Sequence, residues 1–465
     1  MRAHEAGALH AEATSARGPA WLMPPHDLNA LTPELWSRNV ARDESGVLSV
    51  SGVGADTLAA RFGTPVYVVD EDDFRARARE FRRAFHGFDV YYAGKAFLCL
   101  ATVRWIDEEG LDLDVCSGGE LAVALRAGFD PARIGFHGNN KSVPELISAV
   151  EAGVGRIIVD SHAEVDRLSA IAAQRGTRQA VLVRVTAGVE AHTHAYIATA
   201  HEDQKFGFSI AGGDALDAMR LVEASGSLDL VGLHSHIGSQ IFETAGFEVA
   251  ARRVLALYST GLELGMNLRE LNLGGGFGIA YTTQDDPASP AQLAGEITAI
   301  VAAECRTLGI GVPQLSIEPG RAIAGPSTFT LYEVGTAKAV ALDAGASRLY
   351  VSVDGGMSDN IRPALYDADF SCALASRRST AGPMLARVVG KHCESGDIVV
   401  KDEFLPLDVD AGDLIAVPAT GAYCRALAST YNHVPRPPVV AVRQGRARVI
   451  VRRETEDDLL RLEVE

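Results

Sequence analysis

Residues 90–159 read VYYAGKAFLCLATVRWIDEEGLDLDVCSGGELAVALRAGFDPARIGFHGNNKSVPELISAVEAGVGRIIV. Short apolar runs centred on Tyr92, Asp114, Phe136 and Ile158 recur in it every 22 residues. Parallel strands need crossovers of a dozen or more residues, so a repeat of this length spells strand, helix, strand. Four further runs continue the series: Val181–Val185, Leu230–Leu233, Leu271–Leu273 and Leu315–Ile317. Ser142-Val143-Pro144-Glu145 and Ser161-His162-Ala163-Glu164 read as capping boxes, with stops near Gly153 and Gly176. Gly119–Gly128 and Pro290–Gly309 read as further helices. Eight such units predict an α/β fold built on a (β/α)₈ TIM-type barrel over residues 61–325. A doubly wound open sheet is the alternative, but no GxGxxG follows the first strand.

Beyond Arg321 the rhythm changes. Thr328–Val340, Arg348–Val353, Val399–Pro406, Leu414–Val417 and Val439–Val451 are strand-like, the last with a turn at Gln444-Gly445-Arg446. No long helix separates them, which predicts an all-β domain over 326–465. Residues 29–60, with Val47-Leu48-Ser49-Val50, are expected to join it, and residues 1–28 read as a disordered leader.

Composition narrows the function. The chain has 465 residues, with 43 Lys and Arg against 60 Asp and Glu, a net charge of −17. A nucleic-acid partner needs clustered positive charge, which this balance disfavours. No apolar run reaches the roughly 18 residues of a membrane helix, and the N-terminus lacks the apolar core of a signal peptide. The six cysteines, at 99, 116, 305, 372, 393 and 424, form no CxxC pair. They read as reduced thiols of a cytoplasmic protein.

Barrels of this kind do their chemistry at the C-terminal ends of the strands. Those ends carry Lys95, Ser117, His137 with Asn139 and Asn140, Ser161, Arg184, His236, Gly274-Gly275-Gly276, and Glu318-Pro319-Gly320-Arg321. A lysine among apolar and small neighbours loses its proton readily, and a neutral amine is what condensation with an aldehyde needs. A structural ion pair is the other reading of Lys95. Three glycines after strand seven let peptide N–H groups approach an anion, at the habitual phosphate site of these barrels. A carboxylate such as Glu318 can keep a pyridine nitrogen protonated, and Arg321 can hold a carboxylate in two-pronged fashion. A Glu318–Arg321 salt bridge is the structural alternative. His234 and His236, two residues apart, are expected on one face of a strand, a spacing that suits either zinc or one imidazole stacked on a flat ring. Glu190, His192, His194, His201 and Asp203 read as a solvated flap rather than a metal cluster.

The segments YAGKAF, HSHIGSQ, LNLGGGFG, EPGR, DGGMSDNIRPALY, CESGD and GAYCRA stand in that order between about residues 65 and 435. Together they resemble the pyridoxal-phosphate-dependent decarboxylases of alanine-racemase fold, and most closely the branch that decarboxylates diaminopimelate. The resemblance implies conversion of meso-2,6-diaminopimelate to L-lysine and CO₂, the last step of bacterial lysine synthesis. It implies pyridoxal 5′-phosphate as cofactor and a homodimer with shared active sites. A decarboxylase of carboxynorspermidine, ornithine or arginine type is the alternative.

The resemblance assigns roles by position. Lys95 would hold the cofactor covalently and His236 would stack on its ring. Ser239, Gly275, Gly276, Pro319, Gly320 and Arg321 would cradle it, with Glu318 on the ring nitrogen and Tyr423 reaching cofactor and substrate. Arg321, Arg362 and Tyr366 would grip the substrate's distal carboxylate, and Glu394 its distal ammonium. Cys393 would be the proton donor, supplied by the second subunit. Phe97 after Lys-Ala and Gly390-Lys391-His392 before Cys393 depart from much of the family and resemble its actinobacterial members.

Overall fold

Eight parallel strands close into a barrel. The computed structural model describes residues 18–188, 205–342 and 346–464. In chain order the barrel strands are β1 (Asp89–Ala93), β2 (Asp112–Val115), β3 (Ile134–Phe136), β4 (Arg156–Val159), β5 (Gln179–Thr186), β6 (Leu228–His234), β7 (Glu270–Asn272) and β8 (Gln314–Ile317). Each pairs with the next, and β8 returns to β1 through Ser316 with Asp89 and Ile317 with Val90. That closure is what an open doubly wound sheet lacks. The strands read as near-continuous apolar runs because both faces are covered, one by the barrel interior and one by helices.

The first of the two capping boxes forms as expected. Ser142 and Glu145 exchange both bonds of a capping box, and Gly153 ends that helix in the left-handed region at φ 76°. The second box is only half formed. Ser161 caps the Glu164 N–H, but the Glu164 carboxylate turns to the Asp160 N–H and to Lys141 instead. The buried Lys141 ammonium, 2.6 Å from Glu164 Oε1, draws that carboxylate away from the cap.

The second compact unit comprises the described residues up to Phe74, Ala280–Asp286 and those from Ala324 on. Its strands include Thr328–Ala341, Ser347–Val353, Pro383–Val389, Ile398–Pro406, Leu414–Val417, Val439–Arg443 and Arg446–Val451. Gln444 and Gly445 take φ of 49° and 74°, the left-handed pair that a tight hairpin requires. Val66–Asp70 also belongs here, although it falls inside the bounds 61–325 expected for the barrel. It pairs antiparallel with Thr328–Leu331 and parallel with Val439–Val442. Leu48–Val50 lies in a three-stranded sheet with Val40–Arg42 and Val53–Gly54. Leu48, Val50, Val66, Val68, Phe329, Leu331 and Val440 share one buried core.

Residues 1–17 of the expected leader lie outside the described residues, and 18–28 contain no helix or strand. No helix among the described residues is long and apolar enough to cross a membrane.

Candidate active site at the barrel mouth

β1 ends in a 3₁₀ turn, Gly94–Ala96, which lifts Lys95 out of the barrel so that its side chain is exposed beside buried Ala93 and Ala96. The turn is tight because neighbouring backbone crowds it. A methyl group on Gly94 would lie 2.9 Å from the Asp114 carbonyl oxygen, and one on Gly320 would lie 2.8 Å from that of Ala93. Glycine at both positions therefore brings the ends of β1, β2 and β8 together under Lys95. The Lys95 charge acts on Asp114, Cys116, His137 and His236.

The three glycines after β7 leave no room for side chains. A Cβ on Gly275 would sit 2.2 Å from the Glu318 carbonyl oxygen, and one on Gly276 would sit 2.4 Å from that of Gly238. Gly274 and Gly276 also take φ of 71° and 106°. The turn is thus bare peptide, as a phosphate cradle requires. The Gly275 N–H donates to His236 Nδ1 at 3.1 Å, which orients that imidazole. Burial, and then the Lys95 charge, push the His236 pKa well below the usual histidine value, so its ring is neutral.

Glu318 follows β8, deeply buried. His137 Nε2 and His234 Nε2 each stand 3.1 Å from its Oε1, and Asn272 Nδ2 donates to the same oxygen at 2.8 Å. Burial works against the ionised form, but the two imidazoles outweigh it and hold the Glu318 carboxyl well below its ordinary range. Asp114, on β2, goes the other way. Burial, then the Glu318 charge, raise it well above. The His137, His234 and Glu318 ligand atoms lie within 4.8 Å of one another, a span a metal could use. The Asn272 amide on the same oxygen marks it instead as a hydrogen-bond acceptor with three donors. These three donors all converge on Oε1.

Arg321 Nη2 donates to Ser239 Oγ at 2.7 Å. A hydroxyl that accepts from arginine keeps its own hydrogen for another acceptor, such as a phosphate. Arg184, at the end of β5, is buried with its guanidinium 4.4 Å from the centre of the Phe206 ring.

The structure therefore gathers Lys95, His236, Ser239, Gly275, Gly276, Glu318, Pro319, Gly320 and Arg321 at one end of the barrel. Several expectations need correction. β6 ends at His234, so His236 lies beyond the strand and the two rings do not share a face. His234 turns to Glu318 and His236 to Gly275. Arg321 donates to Ser239. Ser117 and Ser161 are spent on capping helices. Glu190, His192, His194, His201 and Asp203 lie outside the described residues. Asn272 and Asp114 were not singled out from sequence, although each lies on a strand's last two positions.

In the β unit three of the quoted segments converge. His392 Nε2 meets Ser358 Oγ at 2.8 Å, Cys424 Sγ meets Asn360 Oδ1 at 3.4 Å, and the Ser429 N–H donates to the Ser358 carbonyl at 2.9 Å. Arg362 is buried against the Tyr281 ring, 4.4 Å from its centre, and its Nη1 has no hydrogen-bond partner among the described residues. A buried, unpartnered guanidinium nitrogen is costly unless a ligand carboxylate completes it. Tyr366 ends the short helix Arg362–Tyr366 and is half-buried. Cys393 and Glu394 are exposed on the turn after His392. Tyr423 is held at φ 60°, a left-handed conformation rare for a tyrosine and a mark of functional loops.

Residues 71–325 match the family model described as pyridoxal-dependent decarboxylase, pyridoxal binding domain. The chain is 58% identical over 471 residues to the diaminopimelate decarboxylase of Mycobacterium leprae (strain TN), with 100% of both chains covered. It is 44% identical over 428 residues to that of Bacillus subtilis (strain 168), covering 91% of this chain and 96% of the relative. A diaminopimelate decarboxylase from m. jannaschii, solved in co-complex with L-lysine, superposes with a TM-score of 0.86 at 30% identity, covering 93% of this chain and 99% of that one.

Proposed function

Because this chain belongs to the diaminopimelate decarboxylases, a branch of the pyridoxal-dependent decarboxylases, it converts meso-2,6-diaminopimelate to L-lysine and CO₂, and we propose that it does so with pyridoxal 5′-phosphate held on Lys95. The observation that carries the cofactor assignment is the convergence on one barrel end of an exposed lysine, a turn of bare peptide and a buried ionised carboxylate. That set fits an aldehyde, a phosphate and a pyridine nitrogen respectively. When bound, the cofactor supplies a protonated ring that accepts the electron pair left as CO₂ departs.

The residues of the chain do the rest. Glu318, ionised and held by its three donors, would stabilise the proton on the ring nitrogen. Neutral His236 would pack on the cofactor ring without adding charge. The peptide groups of Gly275 and Gly276, with the hydroxyl of Ser239, take the phosphate, and Pro319 and Gly320 shape the floor beneath Lys95. Lys95 would be the residue that holds the cofactor's aldehyde carbon.

By the family resemblance, Arg321, Arg362 and Tyr366 would hold the carboxylate that stays on the product. Glu394 holds the distal ammonium, and Tyr423 orients the reacting end. Cys393, from a second copy of the chain in a homodimer, returns a proton to the carbon that lost CO₂. A substrate lacking the distal carboxylate, such as ornithine, leaves the buried Arg362 nitrogen unpaired, which punishes it far more than lost packing would. We place this chemistry in the cytoplasm.

The test is CO₂ release measured side by side from meso-diaminopimelate, ornithine, arginine and carboxynorspermidine. The reading expects turnover of the first and little of the others. Preference for any of the other three would overturn it.

A further inference from the structure

Glu318 receives its three donors from three different strands. His137 comes from the end of β3, His234 from β6 and Asn272 from β7. The His137 ring also meets the His234 ring edge-on, with centroids 4.7 Å apart. The same His137 Nε2 stands 3.3 Å from Asp114 Oδ1, an oxygen with no hydrogen-bond partner among the described residues. Two buried carboxylates, Asp114 and Glu318, therefore flank one imidazole nitrogen. Ionising both in such a site is expensive, so the pair carries one negative charge. A single N–H serves one acceptor well, and it is directed to Glu318.

We infer that His137 is a positioning residue: with His234 it clamps one oxygen of Glu318, puts the pair's single charge there rather than on Asp114, and so sets which carboxylate faces the ring nitrogen. This rests on the proposed function, since it concerns the carboxylate that the cofactor would meet. Among the described residues, the charged or titratable groups that act on or touch His137 include Lys95, Asp114, Arg184, His234 and Glu318. Simple packing is the competing role. Phenylalanine would preserve packing, because it keeps the ring and the edge contact to His234 while removing the N–H. Glutamine would preserve the clamp, because its amide nitrogen reaches the position of imidazole Nε2. Asparagine ends one bond short of it.

The test uses full-length wild-type, His137→Phe, His137→Asn and His137→Gln proteins, each stripped of cofactor and titrated with pyridoxal 5′-phosphate. Three quantities are read: cofactor affinity, the pH midpoint of the visible band of the loaded protein, and kcat and KM separately. The clamp predicts that the Phe and Asn variants shift the pH midpoint and lose about 10- to 100-fold in kcat, with KM little changed. That is the size of one hydrogen bond to a charged group. The Gln variant should recover the wild-type midpoint and most of kcat. A wild-type midpoint and kcat in the Phe variant, or a Gln variant as impaired as Phe, would overturn the inference. If Phe does not fold, the Asn and Gln pair decides alone. Wild-type protein that takes up no cofactor would instead refute the reading beneath it.

Discussion

The peptide N–H of Gly275 donates to His236 Nδ1 across 3.1 Å. One bond thus ties the bare turn after β7 to the ring beyond β6, and it fixes the tautomer. With Nδ1 accepting, the proton of neutral His236 sits on Nε2.

Gly275→Ala should break this tie. Its Cβ would meet the Glu318 carbonyl oxygen at 2.2 Å, so backbone must move. We expect a loss of about 2 kcal/mol or more in folding stability and weaker cofactor uptake. Gly295 is the control. It lies exposed in the helix Pro290–Leu308, with nothing within 4 Å of its Cβ position. Gly295→Ala should stabilise by roughly 0.5–1 kcal/mol. Denaturant unfolding of both variants checks the pair; equal effects would contradict the crowding described for the turn.

Glu318→Gln keeps the shape of the side chain and removes its charge. If Glu318 holds the ring nitrogen protonated, the variant should bind cofactor and lose on the order of 10²-fold or more in kcat. Steady-state kinetics on the loaded variant decide. Near-normal turnover would reduce Glu318 to a structural acceptor for His137, His234 and Asn272.

His234 should make stability fall in mild acid. Burial lowers its pKa from 6.5 to about 4. Between those values the unfolded chain binds a proton that the folded chain refuses. Stability therefore declines as the pH drops from 6.5 to about 4 and levels off below. The most this one group can remove is roughly 3 kcal/mol. Urea unfolding across that window should show a shallower decline for His234→Gln than for wild type. Parallel curves would contradict the assignment.

Much of this was legible in the chain. Strands centred every 22 residues announced the barrel, and their ends announced Lys95, His236, the glycines and Glu318. The rest depended on distant pairings. Val66–Asp70 falls inside the bounds 61–325 expected for the barrel, yet its partners lie at 328–331 and 439–442. Local pattern carries no trace of such partners. Asn272 and Asp114 were obscured for a related reason. A polar residue near a strand's end gains meaning only when the closed barrel brings it to another strand's carboxylate. The histidine pair was misread because the alternation rule applies only while the strand continues, and β6 stops at His234.

Cys393 can be tested by complementation. Lys95→Ala and Cys393→Ala chains should each be nearly inactive alone. Mixed and reassembled at random, half the dimers would be hybrids with one of two sites intact, so recovery should approach roughly a quarter of wild-type activity. A mixture as inactive as its parents, despite verified subunit exchange, would mean that Cys393 acts within its own chain or takes no part.

The most direct measurement is borohydride reduction of the cofactor-loaded protein, followed by peptide mass analysis. The account predicts a yellow protein that bleaches on reduction and carries one pyridoxyl group, on Lys95. A colourless protein, or a pyridoxyl group on any lysine other than Lys95, would contradict it.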